Sequence, residues 1–491
     1  MTHKKKSSTK VSSILKKISI GLWIISIICI LTLLYFIYDT NVVPIKYLIP
    51  LTVIFILFMT VHGFFVINKK TRVWFLILID ILAFVFAGTQ VFACVKINDT
   101  LSFLRKNLGA KYETNIYNVV VNVESKYESI QDLQGSSVLV VQDMDDMTKV
   151  VQSLEDKADV EIEYSEDVVE SLLAVSNDLD MVILVNSGNY DAMISTDEDY
   201  SSKVKVLDTI EIVTEVVVED SGVNVAKEPF VLYLSGIDTR SNALPSKSLS
   251  DVNIILAVNP KTKNILMIHI PRDYYVQIHG TTGLKDKLTH AGAIGGVNLS
   301  MSTIEDLLEI EIPYYLRVNF NSVVNLVDAI GGINIYSDVD YSFTCWTDRS
   351  CSFNPGYNNV DGQCALAFAR ERHAYETGDR HRGENQEQVI SLIINKITSS
   401  TTLINKYTDI LNALNGTFET NLTTDDITSL VKMQLDDMRS WNISTVNVDG
   451  TGAMSPTHSY PNQNLYVMNP DQESIEVAIK RLNEILETPD E

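Results

Sequence analysis

Three apolar runs within the first hundred residues constrain this chain more than any other feature. Residues 18–38, 48–67 and 73–95 are each long enough to cross a hydrocarbon core of about 30 Å. In such a core every backbone N–H and C=O must be paired within its own segment, so the runs are expected to be transmembrane helices. The first run is too long for a cleaved signal peptide, and no small-residue cleavage site follows it. Lys4, Lys5, Lys6, Lys10, Lys16 and Lys17 precede the first run, and Lys69, Lys70 and Arg72 separate the second from the third. The other loop, 39–47, carries only Lys46 against Asp39. Positive residues stay on the cytoplasmic side, which puts the N-terminus inside and everything after about Lys96 outside. Asp80 and His62 fall at similar depth from the cytoplasmic ends of their spans. Intramembrane ionisable groups usually face a partner, so a contact between the two is expected.

The net charge of −23 is unevenly spread. Residues 1–96 hold eleven Lys/Arg and two acids, so the outer part carries −32. An outer part so acidic repels nucleic acid, and any anionic ligand must be held by a local basic cluster. The cytoplasmic segments are too short to fold into a DNA-binding domain, which argues against a transcription factor. Of the five cysteines, Cys29 and Cys94 lie in spans, and Cys345, Cys351 and Cys364 lie outside. No Cys/His spacing suggests zinc. Cys345 and Cys351 flank a short polar turn, and this pair suits a local disulfide in an oxidising compartment.

Residues 98–111 read as an amphipathic linker. Val- and Ile-rich stretches at 116–123, 137–141, 181–185 and 207–218 read as strands, with helices at 143–154 and 168–175 between them. This small α/β module, within 97–225, has no Gly-rich phosphate loop and no His. A second α/β domain fills 226–491. Its strands are expected at 230–237, 252–258 and 265–270, the last two forming a hairpin through Asn259-Pro260-Lys261-Thr262. Helices are expected at 300–308, 322–330, 362–373 and 386–399, and the last ninety residues read as a helix-rich close.

Four polar clusters sit beside predicted strand or helix ends: Gly236-Ile237-Asp238-Thr239-Arg240, Ser250-Asp251, Pro271-Arg272-Asp273, and Arg370-Glu371-Arg372 with the following Asp379-Arg380-His381-Arg382 and Asn385-Gln386. Strand ends are where α/β folds place ligands. Arginine suits phosphate because its planar fork donates two bonds and stays charged, and aspartate supplies hard oxygen for Mg²⁺.

Over about 229–400 these blocks, in this order, resemble the LytR-CpsA-Psr (LCP) family of cell-wall ligases, and the spans with the intervening module resemble its capsule-linked branch. Leu326-Val327-Asp328-Ala329-Ile330-Gly331-Gly332 and Asp361-Gly362-Gln363 look like family segments too. The resemblance implies a central sheet flanked by helices. It also implies Mg²⁺-assisted transfer of an anionic glycopolymer, capsular or teichoic-acid-like, from a polyprenyl diphosphate to peptidoglycan. Carried over by position, Asp238 and Asp251 would bind the metal (Mg²⁺ or Mn²⁺). Arg240, Arg272, Arg370, Arg372 and Arg382 would hold the diphosphate with Gln386. Arg370 and Arg372 would also serve catalysis, with Asp379 as general base or orienting group. Leu307, Leu308, Val323, Val324 and Leu326 are candidates for an apolar lipid channel. Two departures stand out: Asn385 replaces the Arg that members usually carry before that Gln, and Leu249 replaces an Arg expected two residues before Asp251. Lys247 or Arg240 is expected to make up the lost charge. The same metal and arginine set would also permit a diphosphate hydrolase with water as acceptor, or a lipid-binding envelope sensor.

Overall fold

The computed structural model describes residues 2–487 except 69, 109–110, 143–145, 198, 217–220, 239–243, 345–349, 376–377, 400–401, 403–405 and 415. By contacts the chain divides into two units, one of residues 1–106 with 424–439 and one of 107–423 with 440–491.

In the first unit three helices, α1 (Thr2–Thr40), α2 (Ile45–Ile67) and α3 (Val73–Leu108), are long and apolar enough to cross a membrane. Their outward faces are lined with exposed Ile24, Ile28, Leu31, Ile54, Leu57 and Phe84, as suits a lipid solvent. The expected polar contact is present and larger than expected. His62 Nε2 lies 3.3 Å from Asp80 Oδ1, and Ser19 Oγ donates to Asp80 Oδ2 at 2.5 Å. All three helices thus share one buried polar knot. α3 runs through the segment read as a linker, because nothing between Asn98 and Leu108 stops it: neither Gly nor Pro occurs there. The helix Thr424–Asp437 also belongs to this unit. Its Lys432 donates to Asn41 Oδ1 at 2.7 Å, and its Asp436 lies 3.5 Å from Lys46.

The second unit contains two modules. The first is a five-stranded sheet, β1 (Lys111–Asn122), β2 (Ser137–Val141), β3 (Glu161–Ser165), β4 (Val182–Asn186) and β5 (Val204–Val216), in the order β3-β2-β4-β1-β5. Helices α4 (Met147–Glu155), α5 (Val168–Asn177) and α6 (Ser187–Thr196) pack against it. α6 opens on Asn186, whose side chain accepts from Gly188 N.

The second module is a six-stranded sheet. It contains β6 (Phe230–Ile237), β7 (Val252–Asn259), β8 (Asn264–Ile270), β9 (Tyr314–Asn319), and two strands from the C-terminal part, Phe418–Thr420 and Asn442–Asn447. The order is Phe418–Thr420, β9, β6, β7, β8, Asn442–Asn447. The hairpin of β7 and β8 closes on Asn259 opposite Asn264, as its turn residues imply. Because β6 runs antiparallel to β7, and β7 to β8, the end of β6, the start of β7 and the end of β8 share one sheet edge. β9 runs parallel to β6 and Asn442–Asn447 parallel to β8, so both also end on that edge.

Its helices include α7 (Leu288–Leu308), α8 (Phe320–Ala329), α9 (Gly362–Arg370), α10 (Asp379–Ile397), Tyr407–Leu414 and a C-terminal helix, Gln472–Leu486. α9 stops three residues short of its expected end, and α10 begins seven residues before its own. The last ninety residues are not helix-rich throughout: they include the strand Asn442–Asn447 and the hairpin of Gly450–Ser455 with Leu465–Pro470.

The two modules share a core. Tyr460 and Leu465, from the C-terminal segment, are buried in one cluster with Val119, Val140, Leu172 and Tyr200 of the first module. A polar seam continues the join: Ser246 N donates to Thr114 O at 2.8 Å, and Ser246 Oγ bonds Asn115 Oδ1.

The disulfide joins Cys351 to Cys364, across thirteen residues of sequence, and not to Cys345. Cys345 lies outside the described residues. Cys351 is inside the strand Ser350–Phe353, with Phe353 buried beside it, and its neighbour in the core is the first turn of α9. The bond therefore pins a surface hairpin to the helix that ends at Arg370.

Candidate functional site

The shared sheet edge collects most of the motif residues. Asp238 leaves β6 and is exposed; Asp251 enters β7, its N–H bonded to Gly236 O at 2.8 Å. Each carboxylate faces an arginine. Arg272, just past β8, donates from Nη1 to Asp251 Oδ1 at 2.8 Å. Arg370, at the end of α9, brings Nη2 to 3.6 Å from Asp238 Oδ2 and lies over the Phe320 ring at 4.4 Å. Asp273 pairs with Lys287 at 2.9 Å and lies 3.6 Å from Arg272 Nε, so Arg272 stands between two carboxylates, Asp251 and Asp273. Behind Asp251, a buried knot of Tyr233, Ser235, Ser250 and Asn253 fixes the chain: Tyr233 Oη donates to Asn253 Oδ1 at 2.6 Å, and the Ser235 and Ser250 hydroxyls lie 2.7 Å apart.

The segment leading to Asp251 is clamped from three sides. On one side lies α7, where Gly292 and Gly296 are one turn apart. A Cβ at Gly292 would meet Ser248 O at 2.5 Å, and one at Gly296 would meet Ser246 O at 2.7 Å. Gly296 also sits at φ +70°, which breaks the helix and favours glycine. From below, buried Arg317 donates to Pro245 O and Ser248 Oγ and pairs with Glu419 at 2.8 Å. On the third side is α6 of the first module, where a Cβ at Gly188 would come within 3.1 Å of the Lys247 backbone.

α10 delivers the remaining groups. Gln386 is buried against His269 of β8, and among the described residues its Oε1 has no hydrogen-bond partner. Gly383 lets the helix lie on the imidazole, since a Cβ there would stand 2.8 Å from His269 Cε1. Burial, with Arg382 nearby, depresses His269 to about 4, so it is neutral. Asn385, where an arginine was expected, is buried and donates to Phe368 O at 3.1 Å: it ties α10 to α9 and does not face a ligand. Arg380 turns to Asp449 at 3.0 Å.

Arg372 is exposed on the loop after α9, within the turn that buried Glu371 caps by accepting from Ala374 N at 2.9 Å. Arg382 is half-buried on α10. Asp379 opens α10, and only its backbone is described. Arg240 lies outside the described residues. Lys247 lines a cavity of about 210 Å³ between the modules, with Glu113, Asp146 and Glu419 also on its walls. That is a poor place for a phosphate contact.

An apolar cavity of about 90 Å³ opens beside Asp238. Leu234, Ile237, Val323, Leu366, Val389 and Ile390 form its body, with Arg370, Gln386 and Asn319 as polar lining. Of the expected channel residues only Val323 lines it. Leu307 and Leu308 belong to the core under the other face of the sheet, and Val324 and Leu326 are not on its wall.

Two groups escaped the sequence reading. His269 looked like one more strand residue. Asp191, on α6, had no motif around it. It is open to solvent on one side, yet desolvation on the other and then the charges of Asp238 and Asp251 push its carboxyl up to about 7. A residue on a cleft wall reconciles both facts.

Comparison with known proteins follows the same outline. The LytR_cpsA_psr family pattern matches residues 183–484. The chain is 35% identical over 235 residues to the polyisoprenyl-teichoic acid–peptidoglycan teichoic acid transferase TagU of Enterococcus faecalis, spanning 48% of this chain and 74% of that one. It is also 35% identical over 237 residues to the TagU of Bacillus mycoides, spanning 48% and 75%. Among solved structures, B. subtilis TagV aligns with 29% identity over 54% of this chain and 99% of its own, at a TM-score of 0.46. The second unit holds a mixed α/β domain with arginine-paired carboxylates at one sheet edge. The chain belongs to the LytR_cpsA_psr family.

Proposed function

We propose that the protein transfers an anionic glycopolymer from a polyprenyl diphosphate to peptidoglycan, on the outer face of the membrane that its spans cross. The observation that carries this reading is the joining of two chemistries at one sheet edge. Arg370 and Gln386 line an apolar cavity together with Ile237 and Val252, the chain neighbours of Asp238 and Asp251; Arg370 pairs with Asp238, and Arg272 with Asp251. A lipid diphosphate needs that combination, with hydrocarbon walls for the chain and a charged rim for the phosphates. The names of the transferase relatives point the same way.

The donor set fits a hard divalent cation. Asp238 and Asp251 offer accessible carboxylate oxygens, and no group of three His, Cys, Asp or Glu converges among the described residues. Mg²⁺ is typically held by one or two carboxylates plus substrate phosphate, unlike zinc. When bound, the cation would neutralise charge building on the bridging and leaving phosphate oxygens.

The chain's own groups do the rest. Arg272 and Arg370 exchange their carboxylate partners for diphosphate oxygens, a geometry their forks match. Gln386, oriented by neutral His269, offers its amide at the cavity rim. Arg372 and Arg382 add positive charge from the loop and from α10. The acceptor sugar hydroxyl attacks the glycan-bearing phosphorus, the P–O bond to the prenyl phosphate breaks, and the hydroxyl proton passes to a carboxylate, for which Asp379 is the candidate.

The test uses the full-length chain in detergent with Mg²⁺ and a prenyl-diphosphate-linked glycan, with and without peptidoglycan. Product joined to peptidoglycan supports the transferase. Prenyl phosphate and free glycan phosphate in both arms would replace it with a hydrolase, and tight binding without turnover with a sensor.

A further inference from the structure

We propose that the ribbon formed by Ile333–Ser337 and Gly356–Val360 binds a neutral glycan strand, with Tyr336 and Tyr357 as its stacking platform. This deepens the transferase reading given above, on which the role of that glycan as the acceptor rests.

The two strands pair antiparallel, with Tyr336 opposite Tyr357 and Asn334 opposite Asn359. Side chains alternate along a strand, so these four point to one face. The other face, with Ile333, Ile335 and Val360, is buried in one core with Phe368, Val389 and Ile393. The outer four are all exposed, Tyr336 to 50% and Tyr357 to 76%. The tyrosine rings lie 5.4 Å apart at 72°. Among the described residues the amides of Asn334 and Asn359 have no hydrogen-bond partner. Asn358 accepts from Asn354 N at 3.0 Å and donates to Asn354 O at 2.8 Å, which fixes the bend that presents Tyr357.

This surface matches a sugar. A pyranose has a face of C–H groups, which the negative face of an aromatic ring attracts, and a rim of hydroxyls, to which a primary amide can both donate and accept. Strand spacing sets the four side chains on a patch of about 5 by 7 Å, the size of one sugar unit. Charge narrows the class. Neither strand holds a charged residue, on an outer part that carries −32. An anionic polymer or lipid headgroup finds no cation on the ribbon, and an uncharged glycan needs none. An added peptide strand is blocked at Tyr336, whose backbone N–H and C=O are taken by the Gln388 side chain at 2.5 and 3.1 Å.

The same glutamine ties the platform to the site, since Gln388 is two residues beyond Gln386 on α10. The other strand leads straight to Asp361, which caps α9 by accepting from Cys364 N at 3.1 Å, and α9 ends at Arg370. The ribbon that holds the acceptor is thus braced on both helices that carry the diphosphate groups.

The test is co-sedimentation of the full-length chain in detergent with polymer-free peptidoglycan sacculi, with chitotetraose, a neutral N-acetylglucosamine oligomer, as soluble competitor. Chitotetraose should displace the parent protein. Tyr336→Ala and Tyr357→Ala should each weaken binding about tenfold, the usual order for truncating a tyrosine that anchors an interface. Tyr357→Phe, which keeps the ring, should restore most of it. Melting temperatures should match the parent's, because both side chains are exposed. Alanine variants that bind sacculi as tightly as the parent would overturn the inference and leave the transferase reading standing. Loss of a dimer in Tyr357→Ala by light scattering, with sacculus binding intact, would give the face to a second copy of the chain instead. A parent that binds sacculi through these tyrosines yet transfers no polymer would keep the glycan surface and remove the transferase reading.

Discussion

Asp251 accepts a 2.8 Å hydrogen bond from Arg272 across the edge where β7 begins and β8 ends. Asp238 and Arg370 repeat the arrangement at 3.6 Å on the neighbouring strand. Each pair satisfies its own charge until a ligand arrives, so the site is kept assembled without phosphate. A ligand that takes the arginines releases both carboxylates toward a cation, and cation and diphosphate should therefore strengthen one another's binding.

The first prediction concerns three of these four residues. Asp238→Ala and Asp251→Ala should each abolish Mg²⁺-dependent transfer. Arg272→Ala should cost on the order of 10²–10³ in rate, the usual loss of one electrostatic donor. Circular dichroism should show all three folded. An Arg272→Ala protein with the parental rate would remove that arginine from the diphosphate clamp.

Glu387 sets a pH dependence of stability. It is buried on α10, and desolvation together with Glu384 raises its carboxyl from 4.5 to about 8. Between those values the unfolded chain has released a proton that the folded chain still holds, so stability falls as pH rises through the window. Glu387→Gln should raise the melting temperature at pH 8 and change little near pH 4. Equal shifts at both values would mean the carboxyl titrates normally.

His269 acts at the other end. Its value is lowered from 6.5 to about 4, so the folded protein excludes a proton that the unfolded chain takes up. Stability should be lost as pH falls from about 6.5 toward 4. His269→Gln should flatten that limb in denaturant titrations. It should also lower kcat more than it raises KM, since Gln386 loses the ring that orients it.

The Cys351–Cys364 bond closes a loop of about the size for which chain entropy gives ~3 kcal/mol. Cys364→Ser should lose stability of about that order. Dithiothreitol should do the same to the parent and nothing further to the variant. Peptide mapping of the oxidised protein should find 351 joined to 364; a 345–351 linkage would contradict the fold.

Topology can be read from intact spheroplasts, where external protease should remove everything after about Lys96. Protection of the C-terminal region there, with cleavage only after lysis, would reverse the orientation drawn from the lysine-rich loops.

The spans, the β7–β8 hairpin and the polar blocks were legible because each is a local pattern: a run of apolar residues, an Asn-Pro turn, an arginine beside a strand end. Even the depth match of His62 and Asp80 came from counting along helices. The pairing of Cys351 was not legible, because Cys345 is the cysteine nearest to it in sequence, whereas the bond runs to Cys364 on α9. Asn385 read as a departure from the arginine that the family carries before that Gln, and it is a buried link between two helices. Asp191 was invisible for the same kind of reason. Its perturbation comes from burial and then from Asp238 and Asp251, both far from it in sequence, and nothing in the chain near it records that.

The burial of Tyr460 and Leu465 in the first module has a consequence for inheritance. A cut at the apparent boundary near residue 225 would leave two large side chains of the C-terminal segment uncovered and open a hole in the module that lost them. Recombination between relatives can therefore exchange residues 111–216 only together with the segment around 456–465, although some 240 residues separate them in the gene product. Variation in the two stretches should be correlated, and chimeras that swap one alone should be degraded.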